Sequence, residues 1–161
     1  MSRDLGKELP ETLLMLLDGH NLPARLGKAI LISTVDAKGW AHPALLSYGE
    51  IVAVDARRLR LALYGSSGTS GNLRRSGHLT LCFIEEGMAY YVKAHAVEQQ
   101  SVALPSGLAR FEATVERVLV DQARKDLEPS ARITSGIEFD AGKPASEQLS
   151  TWTSMLSALQ A

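Results

Sequence analysis

An antiparallel β-barrel with short flanking helices is the fold class that this sequence predicts, and three observations predict it. Short segments alternate apolar and polar side chains with period two, as in Leu59-Arg60-Leu61-Ala62-Leu63-Tyr64 and Phe111-Glu112-Ala113-Thr114-Val115. Turn signals such as Asp36-Ala37-Lys38-Gly39 and Glu85-Glu86-Gly87 separate these segments at hairpin spacing. Helical periodicity is confined to the two ends and one short insert. The prediction is a mainly β chain: six to seven strands in an antiparallel barrel, a short helix inserted after the third strand, and terminal helices. One domain over 1–161 is expected, with the barrel at 28–120, a helical segment at 1–25 before it and a helix at 144–159 after it.

The elements follow in order. Leu9-Pro10-Glu11-Thr12 opens a short helix through Leu13, Leu14, Met15, Leu16 and Leu17, and Asp18-Gly19 stops it. A helix this apolar needs a cover. Ala29 to Val35 reads as a strand, and Trp40 through Val54 returns as the second arm of a long hairpin. Pro43 and Gly49 interrupt that arm and predict a bulge or bend, a place where a ligand approaches the backbone. Leu59 to Tyr64 is the third strand, and Asn72 to Ser76 is a helix stopped by Gly77. Leu79 to Ile84, Met88 to Val97 and Leu108 to Val120 are further strands, and Asp121 to Leu127 reads as a short helix. Ser130 to Pro144 is polar and turn-rich, and Glu147 to Leu159 carries Leu149, Trp152, Met155, Leu156 and Leu159 at helical spacing.

Composition excludes several classes of function. With 17 basic and 18 acidic side chains the formal net charge is -1, so no overall field attracts nucleic acid or an anionic membrane, and neither partner is expected. Cys82 is the single cysteine, which rules out an internal disulfide and a cysteine metal cluster. No apolar run reaches membrane-spanning length, and a cytoplasmic location is expected. His20, His42, His78 and His95 share no i, i+4 spacing, so no metal centre is expected; His42 and His95 read as lining a barrel mouth or a dimer seam. There is no G-x-S-x-G elbow, no Walker A loop and no G-x-G-x-x-G fingerprint. Glu85 and Glu86 flank a turn glycine and read as a solvated hairpin tip.

The stretch that carries chemistry is Gly65-Ser66-Ser67-Gly68-Thr69-Ser70-Gly71-Asn72-Leu73-Arg74-Arg75. Its glycines let backbone N–H groups turn around an anion, its hydroxyls add donors, and a helix start adds partial positive charge. Two readings fit: a phosphate cradle, or plain helix capping by Ser66, Ser67 or Thr69.

The order of features resembles the pyridoxamine 5′-phosphate oxidase-like flavoproteins. The resemblance rests on a strand ending Ser33-Thr34-Val35-Asp36, the turn Lys38-Gly39, a strand opening His42-Pro43, a strand leading into Ser67-x-Thr69-x-x-Asn72-Leu73-Arg74-Arg75, and the strand Leu79-Thr80-Leu81. It covers roughly Leu26 to Val97. It implies a split β-barrel that forms a homodimer and holds FMN in clefts between the subunits. On that model Ser66, Ser67, Thr69, Ser70 and Asn72 hold the phosphate and ribityl end. Pro43, Ala44, Leu45 and Ser47 either face the ring edge or form ordinary barrel wall.

The chain departs from the oxidase itself. Gly68 and Thr69 stand where the oxidase has a basic pair after its serine, and Ala44 and Gly49 stand at about the positions of its second-strand arginine and lysine. Neutral donors hold a phosphate less tightly than charged ones, which form bonds roughly twice as strong. Arg74, Arg75, Lys28 or Lys93 are the cations available to compensate, and the carboxy-terminal tryptophan–arginine motif of the oxidase has no match. The resemblance therefore implies an FMN-dependent oxidoreductase of an unidentified small molecule rather than a vitamin B6 oxidase. The alternative is a non-catalytic dimeric split-barrel module that binds another small ligand or serves as a scaffold. The apolar amino-terminal helix and the carboxy-terminal stripe present more hydrophobic surface than a small barrel covers, which also points to a homodimer.

Overall fold

The computed structural model describes residues 2–100 and 103–161. In chain order its elements are β1 (Arg3–Gly6), α1 (Glu11–Leu16), a 3-10 turn (Leu22–Arg25), β2 (Lys28–Val35), β3 (Ala41–Ser47), β4 (Ile51–Asp55), β5 (Arg58–Tyr64), α2 (Gly68–Ser76), β6 (His78–Glu85), β7 (Met88–Gln99), β8 (Leu108–Asp121), β9 (Ile137–Glu138) and α3 (Ala145–Gln160). The strands form one sheet in the order β3-β2-β6-β7-β8-β5-β4, with β1 added to β8 and β9 to β2. Every pairing among the described residues is antiparallel. β3 and β4 are the two ends of that order, so the sheet curls into a barrel that stays split between them.

Strand alternation decides what the barrel encloses. Ile30, Ile32, Leu81, Val92, Val118, Phe111 and Leu61 point inward and are fully buried. Each such side chain contributes about 1.5–3 kcal/mol by leaving water. Side chains of α1 and α2 complete the core. Leu9, Leu13, Leu16 and Leu17 around α1 join the core at one end, and Leu73 of α2 joins it elsewhere along the wall. Backbone bonds from Leu9 N–H to Ala56 O (2.7 Å) and from Ala53 N–H to Leu17 O (2.8 Å) fasten the α1 segment to β4.

The outer face divides in two. Over β4 and β5 it is covered by α3, whose Leu156 and Leu159 pack on Val52 and Ala62. The Arg60 guanidinium donates to the carbonyl of Leu159 at 2.9 Å, giving the end of α3 a positive partner for its unpaired carbonyls. Across β3, β2, β6, β7 and β8 the outer face is packed only in part, with Gly136 against Ile84 of β6. There the register lines up Leu45, Leu31, Cys82, Tyr91 and Leu119 in one row across five strands. Leu45 is 53% exposed and the other four are half-buried.

Four expectations change. The segment before residue 25 is only partly helical, because Arg3–Gly6 pairs with β8. The arm from Trp40 to Val54 is two strands, β3 and β4, broken by the turn at Tyr48-Gly49-Glu50, so α2 follows the fifth strand. Asp121–Leu127 forms no helix: β8 runs through Asp121, and the Arg124–Asp126 ion pair (2.6 Å) closes a tight turn instead. Seven residues with a single large apolar side chain, the exposed Leu127, cannot offset the cost of nucleating a helix. Finally, α1 and α3 bury much of their hydrophobic surface within the chain, with Met15 of α1 still 62% exposed, and further apolar surface lies on the sheet.

Candidate cofactor site

The serine-rich turn leaves β5 at Tyr64 and enters α2. Gly65 N–H donates to Gly107 O at 2.8 Å and Ser67 N–H to Tyr64 O at 3.0 Å, which fixes the turn. Ser67 is the helix N-cap: its Oγ accepts from Ser70 N–H at 3.1 Å. Ser70 is fully buried, and its hydroxyl donates to Tyr64 O at 2.7 Å. The N–H groups of Gly68 and Thr69 precede the first backbone helical donor, Gly71 N–H, and have no bonded partner among the described residues. Ser66 is exposed beside them. The helix start therefore leaves two amides without a bonded partner beside the exposed Ser66 and Gly68, a donor set that suits an anion.

The remaining polar groups of the segment face inward. Asn72 Nδ2 donates to Thr34 Oγ1 at 3.0 Å in the barrel interior, and Thr69 is buried beside Ser70. Arg75 donates to Val35 O and, at 3.3 Å, to Asn72 Oδ1. Arg74 grips Glu98 at 2.6 and 2.8 Å, donates to Gly65 O at 2.6 Å, and lies over the Phe111 ring at 5.9 Å. The bond between them raises the Arg74 pKa and holds the Glu98 carboxyl below its usual range. Arg74 is thus ion-paired, while Arg75 is exposed and bonded to neutral acceptors.

His42 is a neighbour that spacing did not reveal. It sits inward on β3 opposite Thr34, and its ring lies so close to the first turn of α2 that a Cβ on Gly68 would be 3.2 Å from Nε2. Of the four β3 candidates, Pro43 and Leu45 face outward and Ala44 faces inward opposite Ile32. Ser47 is the one that reaches a cavity.

That cavity is a groove of about 590 Å³ bounded by the β3–β4 turn, the end of β5 and α3. Tyr64, Leu108, Phe139, Trp152 and Met155 supply its apolar lining, and Ser47 lies at its edge. Trp152 rests directly on Gly49, where any Cβ would fall 2.2 Å from the indole. Tyr64 joins the two features, since it lines the groove and Ser66 and Ser67 follow it at the helix start. No cluster of His, Cys, Asp or Glu among the described residues is arranged to hold a metal ion, and no helix there is long and apolar enough to cross a membrane.

No family model matches the chain. It is 31% identical over 152 residues to the uncharacterised protein YclD of Bacillus subtilis, a match that covers 94% of this chain and 96% of that one. Among solved structures, an assigned pyridoxamine 5′-phosphate oxidase of Lactobacillus delbrueckii superimposes with a TM-score of 0.56 at 19% identity, over 72% of this chain and 98% of the other. An FMN-binding protein of Syntrophomonas wolfei gives 0.52 at 14% identity, over 70% and 88%. HupZ of Group A Streptococcus gives 0.52 at 16% identity, over 63% and 98%. The chain thus belongs to the family of Bacillus subtilis YclD and has the split-barrel fold of the pyridoxamine 5′-phosphate oxidase-like proteins.

Proposed function

We propose that this chain is an FMN-binding flavoprotein, an oxidoreductase acting as a homodimer on a small-molecule substrate. The observation that carries the reading is the amide-rich helix start of α2, which follows closely in sequence on Tyr64, a residue that lines an aromatic groove. A phosphate at the Gly68 and Thr69 amides and the Ser66 hydroxyl would meet the positive end of α2. The groove would shield a ring from water along Tyr64, Phe139 and Trp152. The flavin, when bound, supplies hydride or electron transfer; the chain supplies position, donors and a dry wall. The description of a protein of similar fold as FMN-binding agrees with this reading.

The fit is uneven between the two ends. The ring end has volume and aromatic surface, while the phosphate end has neutral donors, with Arg74 and Arg75 engaged elsewhere. That engagement is what favours the alternative, a non-catalytic module with another ligand. Homodimerisation is supported by the apolar row from Leu45 to Leu119, because a contiguous, partly exposed apolar sheet face of this kind is unusual on a monomer.

FMN titration of the purified protein by flavin fluorescence tests the reading. Saturable micromolar binding is expected, weakened in Ser67→Ala, which loses the cap that orients the helix start. A protein that stays colourless and cannot be loaded with FMN would instead be the non-catalytic module.

A further inference from the structure

Beside the apolar row, the outer face of the sheet carries a second cross-strand row, this one polar. The register sets Ser33 of β2 against Thr80 of β6, Thr80 against Lys93 of β7, and Lys93 against Arg117 of β8. At this point β8 bulges: Lys93 pairs with Arg117, while the next residue, Ala94, pairs with Val115. The extra residue is Glu116, and it and Arg117 are both exposed. Bulges re-aim side chains in this way and recur beside functional sites. Arg117 is engaged by Asp4 at 2.9 Å, whereas Lys93 and Glu116 form no ion pair among the described residues. Both line one cavity of about 390 Å³, bounded also by Ser33, Thr80, His78 and the β2–β3 hairpin. The hydroxyls of Ser33 and Thr80 have no hydrogen-bond partner among the described residues. The volume lies within the range of roughly 300–1,000 Å³ found for small-molecule sites.

We propose that this cavity binds a small zwitterion of the α-amino acid class, its carboxylate held by Lys93, its ammonium by Glu116, and its remaining polar atoms by the Ser33 and Thr80 hydroxyls. The two charges line the same space yet stand too far apart to pair with each other. A simple anion entering there is repelled by Glu116, and a simple cation by Lys93. A molecule that carries both signs satisfies both, through two charge-assisted hydrogen bonds. The cavity shares no lining residue with the groove under α3 and none with the start of α2, so this site is separate from the flavin site proposed above and does not depend on it.

The test is calorimetric titration of the full chain with each of the twenty L-amino acids, with acetate and methylammonium as probes that carry one charge only. At least one amino acid should bind with a dissociation constant below about 1 mM, and neither single-charge probe should match it. Lys93→Met and Glu116→Gln each remove one charge at an exposed position, so the melting temperature of the free protein should hold while affinity falls about tenfold or more in each. Binding by none of the twenty, or binding unchanged in either variant, overturns the proposal. Acetate binding as tightly as any amino acid, lost in Lys93→Met and kept in Glu116→Gln, would make the cavity a plain anion site and overturns it as well.

Discussion

Gly49 and Tyr48 show how much a single position carries here. Gly49 was legible in the sequence as an interruption of a strand, but not as the floor under an indole: the partner, Trp152, lies about a hundred residues further on, and only the packing of α3 on β4 and β5 brings them together. Tyr48 beside it is buried in the core, and burial pushes its phenol up to about 12, with the Glu85 carboxylate adding to the rise. The unfolded chain loses this proton near pH 10.0, so between pH 10.0 and about 12 the folded state alone retains it and stability falls as pH rises. Below that window the residue has no effect on the pH profile. Tyr48→Phe should flatten the decline, by about 2 kcal/mol across the window, as read from urea midpoints at its two ends.

At the scale of elements, α2 is the decisive one. Its stop at Gly77 was readable from composition, but its start was set at Asn72 and lies about one turn earlier, at Gly68, because Ser67 caps the helix inside the serine-rich turn. The inward turn of Thr69, Ser70 and Asn72 was not anticipated: the resemblance set them at the phosphate and ribityl end, whereas they share a buried helical face with Leu73. What spacing could not supply was the cross-barrel register that sets His42 against Gly68 and Glu98 against Arg74. The Arg74–Glu98 pair makes a further prediction. Glu98→Gln loosens the guanidinium that sits beside Gly65, and FMN affinity should rise about fivefold while riboflavin affinity stays unchanged, the gain fading at high salt. A gain shared equally by both flavins would show that Arg74 does not act on the phosphate.

For the whole molecule, the period-two strands and their hairpin turns made the barrel legible, while β1 and β9 were not. Both are short, polar and exposed, and they exist only because β8 and β2 offer them an unpaired edge. The partly exposed row from Leu45 to Leu119 was also invisible, since it consists of one residue from each of five strands. If that face joins two copies, a Leu45→Glu, Tyr91→Glu double variant should halve the mass measured by light scattering and leave the flavin-free fold intact; an unchanged mass would place the homodimer contact elsewhere. The pairing of β1 with β8 has one more consequence. Arg117 and Asp4, which ion-pair across it, are 113 residues apart in sequence. β1 must therefore wait until β8 has been made before it finds its edge, and such long-range pairing raises the contact order and slows folding.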